Sequence, residues 1–555
     1  MESEDMQEYV LDLGKTVESL VGEYLIQKYH EEIVDAFPDT PEIDIWRLDD
    51  DDTWTIEPSF AERIQQNIVH TKKAILSKAP IIYQPWFEWE DCYVRADYMI
   101  LNPEWSYDLI EVKAKSSVRK EVTDDEVKKK IWKIDDEFLH DVAFQKYIIN
   151  TVFSEWWEQS LWEISIAHVN PLYIRHGNID IEKIITMQKV WVMNSISVIQ
   201  NKRETIKNID DSLETGWNIQ AYIELMRAEL PLSEEEFWKY HQFPGNKYLE
   251  YFGMEKPFGT IYSIPYSRST SAVVKDWHEQ GIRWLEELSP EELSRIEKSG
   301  ARFLDFYFRS AKWALVENTM IAEELEALRY PICFYDYESI STPVPLLDSI
   351  SPYQQAVVQY SLHKIYEDGH IDHYGGVLLG QWDYEVHQVV DMEDPDLDMQ
   401  INRVVIGTQE EFLRLFLSDI GKNIDTSSFV VWYKDFENTR NKEMWEKYPI
   451  FTSSFEKINE NTYDLYEIFK QYKYFDRDFK GSASIKKVLP VLVPELSYDH
   501  LPIGKGDIAM NKLAELIWNK VQDKDERTQI ARDLLIYCRQ DSWAMVRIFR
   551  FLLSL

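Results

Sequence analysis

Two sets of residues, far apart in the chain, combine carboxylates with a lysine or a tyrosine at short spacings. In the first set, Glu111 and Lys113 lie two residues apart on a predicted strand, so their side chains point to the same side. An antiparallel neighbouring strand can bring Asp97 beside them. The carboxylates of Asp97 and Glu111 can then hold Mg²⁺ or Mn²⁺, which prefer oxygen ligands. Lys113 can orient or help to deprotonate a metal-bound water and offset phosphate charge. This set predicts metal-dependent hydrolysis of a phosphodiester.

The second set contains four carboxylates. Asp336 and Glu338 share one face of the predicted strand FYDYES, and two like charges so close are costly unless a cation lies between them. Glu437 follows another predicted strand, and Tyr537 and Asp541 lie four residues apart on one helix face. Four carboxylates suit two metal ions about 4 Å apart, one activating water and one stabilising the leaving oxygen. We expect all four acids to be metal ligands and Tyr537 to position the attacking water.

The spacing D-(x)13-E-x-K of the first set resembles the PD-(D/E)XK nuclease superfamily. The following segment, DVAFQKYII (141–149), resembles the helix after the ExK strand in the RecB-type branch. In that branch a Gln and a Tyr support the site, which implies Gln145 and Tyr147 here, although the branch has QxxxY where this chain has QxY. The early His or Glu of the branch has no clear match in this chain, and Glu18 and Glu23 are the two candidates for it. The cysteine quartet of the iron–sulfur relatives is absent.

The second set resembles a DnaQ-type exonuclease domain of the DEDD class, which implies an RNase H-like fold and 3′–5′ polarity. Asp336 and Glu338 match the DxE motif, and Tyr537 and Asp541 match YxxxD. Glu437 stands where the second motif has Asp, and Lys434 where it has Asn. Asp464 competes with Glu437 as a metal ligand, but we expect it to hold a neighbouring helix.

Longer strings extend the second resemblance. Segments 352–363, 479–501 and 534–546 are similar to an uncharacterised bacterial family that has a RecB-type N-terminal region and a DnaQ-like C-terminal domain. The similarity covers 1–175 weakly and 330–550 well. Because residues 180–330 contain no cysteine, the metal cluster that such relatives often carry in the middle region is not expected.

The elements that must position these residues form a multidomain α/β protein. A helix is predicted over 1–37, an antiparallel meander over 81–89, 92–101 and 107–114, a helix over 124–153 and a strand over 163–170. We therefore expect a PD-(D/E)XK-like domain at 1–175, a mostly helical connecting region at 176–329 and a DnaQ-like domain at 330–555. Strands followed by alternating helices and strands predict a mixed sheet in the last domain.

Charge restricts how nucleic acid can bind. The 555-residue chain has 98 acidic and 60 basic residues, a net charge of −38, and this field repels polyanions and anionic membranes. Binding then depends on bound cations or on local basic segments. Lys113–Lys133 has eight basic and four acidic residues, a pattern typical of either a solvated helix face or a phosphate-tracking surface.

Other residues are weaker candidates. Several basic side chains can line a substrate path and several aromatic ones can stack on bases, although a core edge with solvated lysines explains them equally well: Arg440, Lys442, Lys480, Lys486 and Lys487, and Tyr472, Tyr474 and Phe475. We expect a structural role for His363, and His500 is a minor candidate for a catalytic base.

The remaining composition excludes several classes of protein. The three cysteines are far apart, which excludes a disulfide framework and favours a reducing cytosol. The sequence has no signal peptide, no apolar run of transmembrane length and no phosphate-binding loop for ATP. We predict a cytoplasmic, metal-dependent nuclease, not bound to membranes, with DNA preferred over RNA as substrate and a role in DNA repair or defence. The alternative is a nucleic-acid-binding or scaffold protein in which one or both sites have decayed.

Overall fold

The computed structural model describes residues 4–35, 60–89, 92–114, 136–156, 160–190, 197–200, 205–208, 258–265, 268–379, 397–498 and 500–555. The chain divides into two compact units, Met1–Leu232 with Thr342–Gln354, and Ser233–Ser341 with Gln355–Leu555. Both units combine helices with mixed sheets, so the α/β class is confirmed. The predicted connecting region, 176–329, is shared between the two units.

The first unit contains short strands and a few long helices. Its helices are α1 (Glu4–Tyr29), α2 (Phe60–Leu76), α3 (Asp136–Trp156) and α4 (Ile181–Ile184). Its strands are β1 (Ile33–Asp35), β2 (Ile81–Tyr83), β3 (Trp86–Trp89), β4 (Cys92–Arg95), β5 (Tyr98–Leu101), β6 (Tyr107–Lys113), β7 (Ile164–Val169), β8 (Ile185–Val190), β9 (Ser197–Gln200) and β10 (Thr205–Asn208).

Six of these strands form one mixed sheet in the order β1-β2-β5-β6-β7-β8. The steps β2–β5, β5–β6 and β7–β8 are antiparallel, whereas β1–β2 and β6–β7 are parallel. The helix α3 connects β6 to β7, which a parallel step requires. The order helix, three strands, helix, strand is therefore present as α1, β2-β5-β6, α3 and β7.

The predicted meander differs in one respect. The prediction of one strand over 81–89 is wrong, because the chain breaks after Tyr83 and β3 pairs with β4 in a separate hairpin. Gln84 has φ 48°, in the left-handed region, and Pro85 has no N–H for a sheet ladder. The strand predicted over 92–101 is likewise divided, so that Asp97 lies in the bend between β4 and β5.

The helix α3 is fixed by its apolar face. Residues at helical spacing are buried and pack with the inner side chains of the sheet: Val142, Ile148, Ile149, Val152 and Phe153 with Tyr107, Leu109 and Ile166. Phe153 also contacts the rings of Phe87 and Tyr107, with centroids 5.8 and 6.4 Å away. This packing sets the rotation of the helix and therefore the direction of its polar residues.

The second unit contains the larger number of helices. Its helices are α5 (Arg268–Glu279), α6 (Pro290–Leu293), α7 (Lys298–Arg309), α8 (Asn318–Glu326), α9 (Gln409–Ile420), α10 (Lys434–Lys447), α11 (Thr452–Glu460), α12 (Tyr466–Lys470), α13 (Ile485–Leu492), α14 (Gly506–Ile517) and α15 (Lys524–Leu553). Its strands are β11 (Leu315–Val316), β12 (Ile332–Ile340), β13 (Ala356–Ile365), β14 (Ile371–Leu378), β15 (Met399–Val405), β16 (Ser428–Val431), β17 (Thr462–Asp464) and β18 (Tyr474–Phe475).

The main sheet of this unit has the order β15-β14-β13-β12-β16-β17. The strands β12, β13 and β14 form an antiparallel meander, and β15, β16 and β17 join in parallel. The mixed sheet predicted for this part of the chain is therefore confirmed. The strand β12 is central, between β13 and β16, and successive side chains of a strand point to opposite faces.

Each face of β12 is covered by a helix. On one face, Phe334 packs edge-on against Phe549 of α15, with ring centroids 5.3 Å apart. On the other face, Tyr335 and Tyr337 contact Phe416 of α9. Because Asp336 and Glu338 share the face of Phe334, they point toward the side of the sheet that α15 covers.

Two further predictions about secondary structure are corrected. The helix predicted over 1–37 ends at Tyr29, and β1 follows it. The mostly helical region predicted from residue 176 contains β8, where Ile185–Val190 pair with β7 as the sixth strand of the first sheet. Most of the helix predicted over 124–153 lies in α3, and its first part, 124–135, is outside the described residues. Among the described helices, none is long and apolar enough to cross a membrane.

Candidate metal centres

The structure brings Asp97, Glu111 and Lys113 together in the first unit, as predicted. The Val112 backbone N–H donates to Asp97 Oδ2 at 2.7 Å, which ties the bend before β5 to β6. On β6, Lys113 Nζ donates to Glu111 Oε1 at 2.7 Å. Asp97 and Glu111 are only 7% and 5% exposed, so both carboxylates are held inside the protein.

Gln145 also joins this centre. It lies on α3, and its Nε2 donates to Glu111 Oε2 at 2.9 Å. One turn earlier, Asp141 Oδ2 accepts a hydrogen bond from Lys113 Nζ at 2.5 Å, so Lys113 lies between two carboxylates. Asp141 was not predicted, although its position four residues before Gln145 on one helix face was a usable signal.

Tyr147 does not join the centre. Two residues beyond Gln145 the helix has turned by about 200°, and Tyr147 packs edge-on against Trp89 with centroids 5.6 Å apart. The prediction of a supporting role for Tyr147 is therefore wrong.

The choice between Glu18 and Glu23 is decided by contacts. Glu18 Oε2 accepts hydrogen bonds from Tyr83 Oη at 3.1 Å and Gln84 Nε2 at 3.2 Å, whereas Glu23 is exposed. The charge of Glu18 also acts on Asp97 and raises its pKa. Glu18 is thus part of the same acidic environment.

Burial of acidic groups dominates the electrostatics of this centre. Burial, followed by the charges of Glu111 and Glu18, raises the pKa of Asp97 well above its usual value, and burial raises the pKa of Glu111. Burial lowers the pKa of Lys113, but Glu111 and Asp141 together outweigh it, so the net pKa is raised. Buried carboxylates that share a single ammonium are stabilised by an additional positive charge.

The second unit brings three of its four predicted carboxylates together. One oxygen each of Asp336, Glu338 and Asp541 lies within 4.8 Å of the others. Asp336 and Glu338 are half-buried on β12, and Asp541 is 9% exposed on α15. Oxygen ligands at this separation match the preference of Mg²⁺, Mn²⁺ and Ca²⁺.

The position of α15 over the sheet is set by buried polar contacts with β13. Gln359 Nε2 donates to the Leu534 carbonyl at 2.6 Å, and the hydroxyls of Ser361 and Ser542 are 2.6 Å apart. Ser361 pairs with Asp336 across the strands. The helix is therefore anchored immediately beside the carboxylates, which fixes where Asp541 points.

Tyr537 lies beside the carboxylates, and Tyr498 and Lys486 lie next to it. Tyr498 Oη donates to Asp541 Oδ1 at 2.6 Å, and Lys486 Nζ donates to Tyr537 Oη at 3.3 Å. The sequence made Lys486 a weak candidate for lining a substrate path. In the structure it is bound to Tyr537 and to the Gly504 carbonyl, beside the carboxylates. Tyr498 was not predicted, although it lies in the string 479–501 that carries the family resemblance.

Glu437 lies next to this group but not within it. It is 2% exposed in the first turn of α10, and its Oε2 has no hydrogen-bond partner. Burial, then the charge of Asp336, raises its pKa well above the usual value. Glu437 was predicted to be a ligand with the other three carboxylates, but it lies near them without belonging to their group. Its Oε2, which has no hydrogen-bond partner among the described residues, is the atom that could contact a cation.

Asp464 has the structural role that we expected. Its carboxylate accepts backbone N–H groups of Tyr433 at 3.1 Å, Lys434 at 3.0 Å and Tyr466 at 3.1 Å, and so holds the start of α10. Lys434 Nζ donates to the Thr462 carbonyl at 2.6 Å. Lys434 thus ties the start of α10 to β17.

Like-charge repulsion and burial dominate the electrostatics of this centre. Burial, then the charge of Asp541, raises the pKa of Asp336 well above its usual value, and burial, then Asp336, does the same for Glu338. Burial raises the pKa of Asp541 to about 6, although the hydrogen bond from Tyr498 opposes this. A cation relieves these costs because it stabilises the ionised forms. The residues present therefore fit a divalent ion.

The remaining candidates are resolved by their contacts. His363 is buried against His373 and Trp543, with Nδ1 2.9 Å from the Ser542 hydroxyl, so its role is structural. Tyr474 and Phe475 are buried, and His500 is exposed. Arg440 and Lys442 pair with Glu443 and Glu446 on α10, and Lys480 and Lys487 are exposed. The basic segment beyond Lys113 lies in 115–135, outside the described residues.

Comparison with known proteins identifies a family model and several bacterial relatives that this chain resembles. Residues 333–484 match a family model described as "Domain of unknown function (DUF2779)", and this segment contains Asp336, Glu338 and Glu437. The uncharacterized protein UU173 of Ureaplasma parvum is 27% identical over 40% of this chain and 31% of its own length. The uncharacterized protein MG366 of Mycoplasma genitalium is 21% identical over 89% of this chain and 80% of its own length.

A homologue of MG366 in Mycoplasma pneumoniae is 23% identical over 68% of this chain and 58% of its own length. The chain thus has distant bacterial relatives, and it spans less than a third of the Ureaplasma protein. No solved structure matches.

Proposed function

We propose that this protein is a metal-dependent nuclease with two separate centres. The observation that carries the proposal is the convergence of Asp336, Glu338 and Asp541, whose oxygens lie within 4.8 Å of one another on a central strand and the helix that covers it. By resemblance, this centre is a DEDD-type 3′–5′ exonuclease site on an RNase H-like fold. The centre of Asp97, Glu111 and Lys113 is, by resemblance, a PD-(D/E)XK site.

The residues of the second unit suit hydrolysis of a phosphodiester. Mg²⁺ or Mn²⁺ bound there would supply a Lewis acid for the phosphate and the leaving oxygen. Asp336, Glu338 and Asp541 would hold the ions, with Glu437 available through its unpartnered oxygen. Tyr498 fixes the orientation of Asp541 by donating to it. The Tyr537 hydroxyl, which accepts a hydrogen bond from Lys486, would position a water for attack.

The first unit supports the same chemistry with fewer ligands. Asp97 and Glu111 would hold one ion, and Gln145 fixes the orientation of Glu111 through its hydrogen bond. Lys113 supplies positive charge for the phosphate. Its ion pairs with Glu111 and Asp141 fix the position of its ammonium group, from which it would orient or help to deprotonate a metal-bound water.

A second candidate function is a nucleic-acid-binding protein with a decayed exonuclease site. The specific observation in its favour is that Glu437 stays outside the group of three carboxylates. This candidate predicts uptake of a divalent ion without turnover.

The direct test is digestion of end-labelled and internally labelled strands of DNA and RNA by the full chain in Mn²⁺. We expect terminal trimming by the wild type, its loss in Asp336→Ala and its retention in Lys113→Ala. Internal cleavage should show the reverse pattern. Asp305→Ala is the matched control, since Asp305 is an exposed acid paired with Arg309 on α7.

Undiminished trimming by Asp336→Ala overturns the exonuclease assignment. Loss of both activities in a folded single variant favours one composite site over two separate centres. Comparing DNA with RNA also tests the expected preference for DNA; the proposed role in repair or defence rests on fold analogy and requires that preference.

A further inference from the structure

Lys486 lies at a fixed point beside the carboxylates of the second unit. The residue is half-buried at the start of α13. Its Nζ donates to the Gly504 carbonyl at 3.2 Å and to Tyr537 Oη at 3.3 Å. The ammonium also lies 5.5 Å from the ring centroid of Tyr498 and 5.4 Å from that of Tyr537. Two hydrogen bonds and two aromatic rings therefore restrain a side chain that is usually mobile.

The charge of Lys486 reaches the whole group of carboxylates. It lowers the pKa of Asp336, Glu338 and Asp541 and so opposes the effect of burial on each of them. Tyr498, under the same ammonium, donates to Asp541. Lys486 is thus coupled to the metal-binding acids by charge and to Tyr537 by a hydrogen bond.

Within the part of the chain that the structure describes, Lys486 uses two of its three donors. An ammonium has three N–H donors, and two of them serve Gly504 and Tyr537. We propose that Lys486 is a positioning residue of the proposed nuclease centre, which holds the Tyr537 hydroxyl in place and presents its third donor to a phosphate oxygen of the bound strand. This inference rests on the proposed function and adds the residue that recognises the phosphate.

The proposal predicts opposite effects on two ligands. Without the ammonium, three carboxylates lose a competing positive charge, so a divalent cation should bind more tightly. A strand should bind more weakly, since a charge-assisted hydrogen bond to a phosphate is lost. A lysine with a merely structural role would weaken both when removed.

The experiment compares Lys486→Met and Lys486→Gln with the wild type in the full chain. Mn²⁺ binding is measured by calorimetry in the Glu111→Gln background, so that the heat comes mainly from the second unit. Strand binding is measured by anisotropy in Ca²⁺. We expect tighter Mn²⁺ binding, at least about tenfold weaker strand binding and slower terminal trimming in both variants. Lys486→Arg, which keeps the charge, should recover strand binding in part.

Lys505→Met is the matched control, because Lys505 is an exposed lysine next to Gly504. It should behave as the wild type in all measurements. Weaker Mn²⁺ binding by a folded Lys486→Gln variant, or strand binding like that of Lys505→Met, overturns the proposal.

Failure of the proposed function is distinguishable from failure of this inference. A wild type that takes up Mn²⁺ but neither binds nor cuts strands overturns both the nuclease assignment and the phosphate contact. A wild type that trims strands, together with a Lys486→Gln variant that trims equally well, overturns the role of Lys486 alone.

Discussion

Both centres place buried carboxylates around one lysine. In the first unit Lys113 bridges Glu111 and Asp141, and in the second unit Lys486 faces Asp336, Glu338 and Asp541 without a direct ion pair. Buried like charges raise each other's pKa and cost stability when no cation is bound. At the scale of residues, we therefore propose that a bound cation offsets this cost in both centres.

The stability cost of placing these carboxylates close together depends on pH. The carboxyls of the second centre have a raised pKa in the folded state. Their contribution to the free energy of unfolding is therefore complete below the unfolded-state pKa, which is near 4. It is lost as the pH rises through the folded-state pKa, which is about 6 for Asp541. Without divalent ions, the free energy of unfolding should fall between about pH 4 and pH 6. Asp541→Asn should make this fall shallower, and Mn²⁺ should reverse the fall to a larger extent in the wild type than in this variant.

The measurement is denaturant unfolding in EDTA from pH 4 to pH 7.5, repeated with Mn²⁺. The difference between wild type and Asp541→Asn removes the contribution of acids elsewhere in the chain. A pH slope that is the same in both proteins would show that Asp541 titrates normally.

Sequence spacing predicted most of the residues in the two centres. The ExK and DxE pairs follow from the two-residue alternation of strands, and Tyr537 with Asp541 follows from the helical repeat. Asp141 and Tyr498 were missed, because each acts through a partner that is distant in sequence, Lys113 and Asp541. The supporting role predicted for Tyr147 was wrong, because a residue two positions after Gln145 lies on a different side of the helix. Tyr147 packs against Trp89 instead.

At the scale of elements, the position of α10 determines whether Glu437 can reach the centre. Tyr433, which precedes the helix, has φ 84°, a left-handed conformation that is costly for an aromatic residue. Asp464 compensates by accepting three backbone N–H groups at this turn. Asp464, on the neighbouring strand β17, therefore fixes both this turn and the start of α10.

We predict that Asp464→Ala destabilises the protein by about 2 kcal/mol, since backbone donors lose their acceptor. Trimming should fall further than stability alone explains, because α10 carries Glu437. Asp435→Ala is the control, an exposed acid in the same first turn. Chemical unfolding and trimming rates check this, and equal behaviour of the two variants would contradict it.

The elements were predicted well where the hydrophobic pattern was long. The central strand β12 and the long helix α15 were recognised from the sequence, whereas the break at Gln84 and Pro85 and the strand Ile185–Val190 were not. A short apolar run fits a helix or a strand equally well, and only pairing with β7 decides the second case. Register and sheet order depend on contacts that the local pattern does not contain.

At the scale of the whole molecule, the dominant feature is the net charge of −38. A field of this sign repels a polyanion at long range, and the empty carboxylate centres add to the repulsion. Bound divalent ions reverse the local sign. A nucleic-acid strand should therefore bind tightly only after divalent ions have bound to the carboxylates.

The most direct measurement of this claim is an anisotropy titration of a labelled single strand at constant ionic strength, first in EDTA and then in Ca²⁺. Ca²⁺ can occupy an all-oxygen site, so we expect weak binding in EDTA and clearly tighter binding in Ca²⁺, with most of the gain lost in Asp336→Ala. Equal affinity in EDTA and Ca²⁺ would contradict the account, because it would mean that the carboxylate centres do not face the substrate.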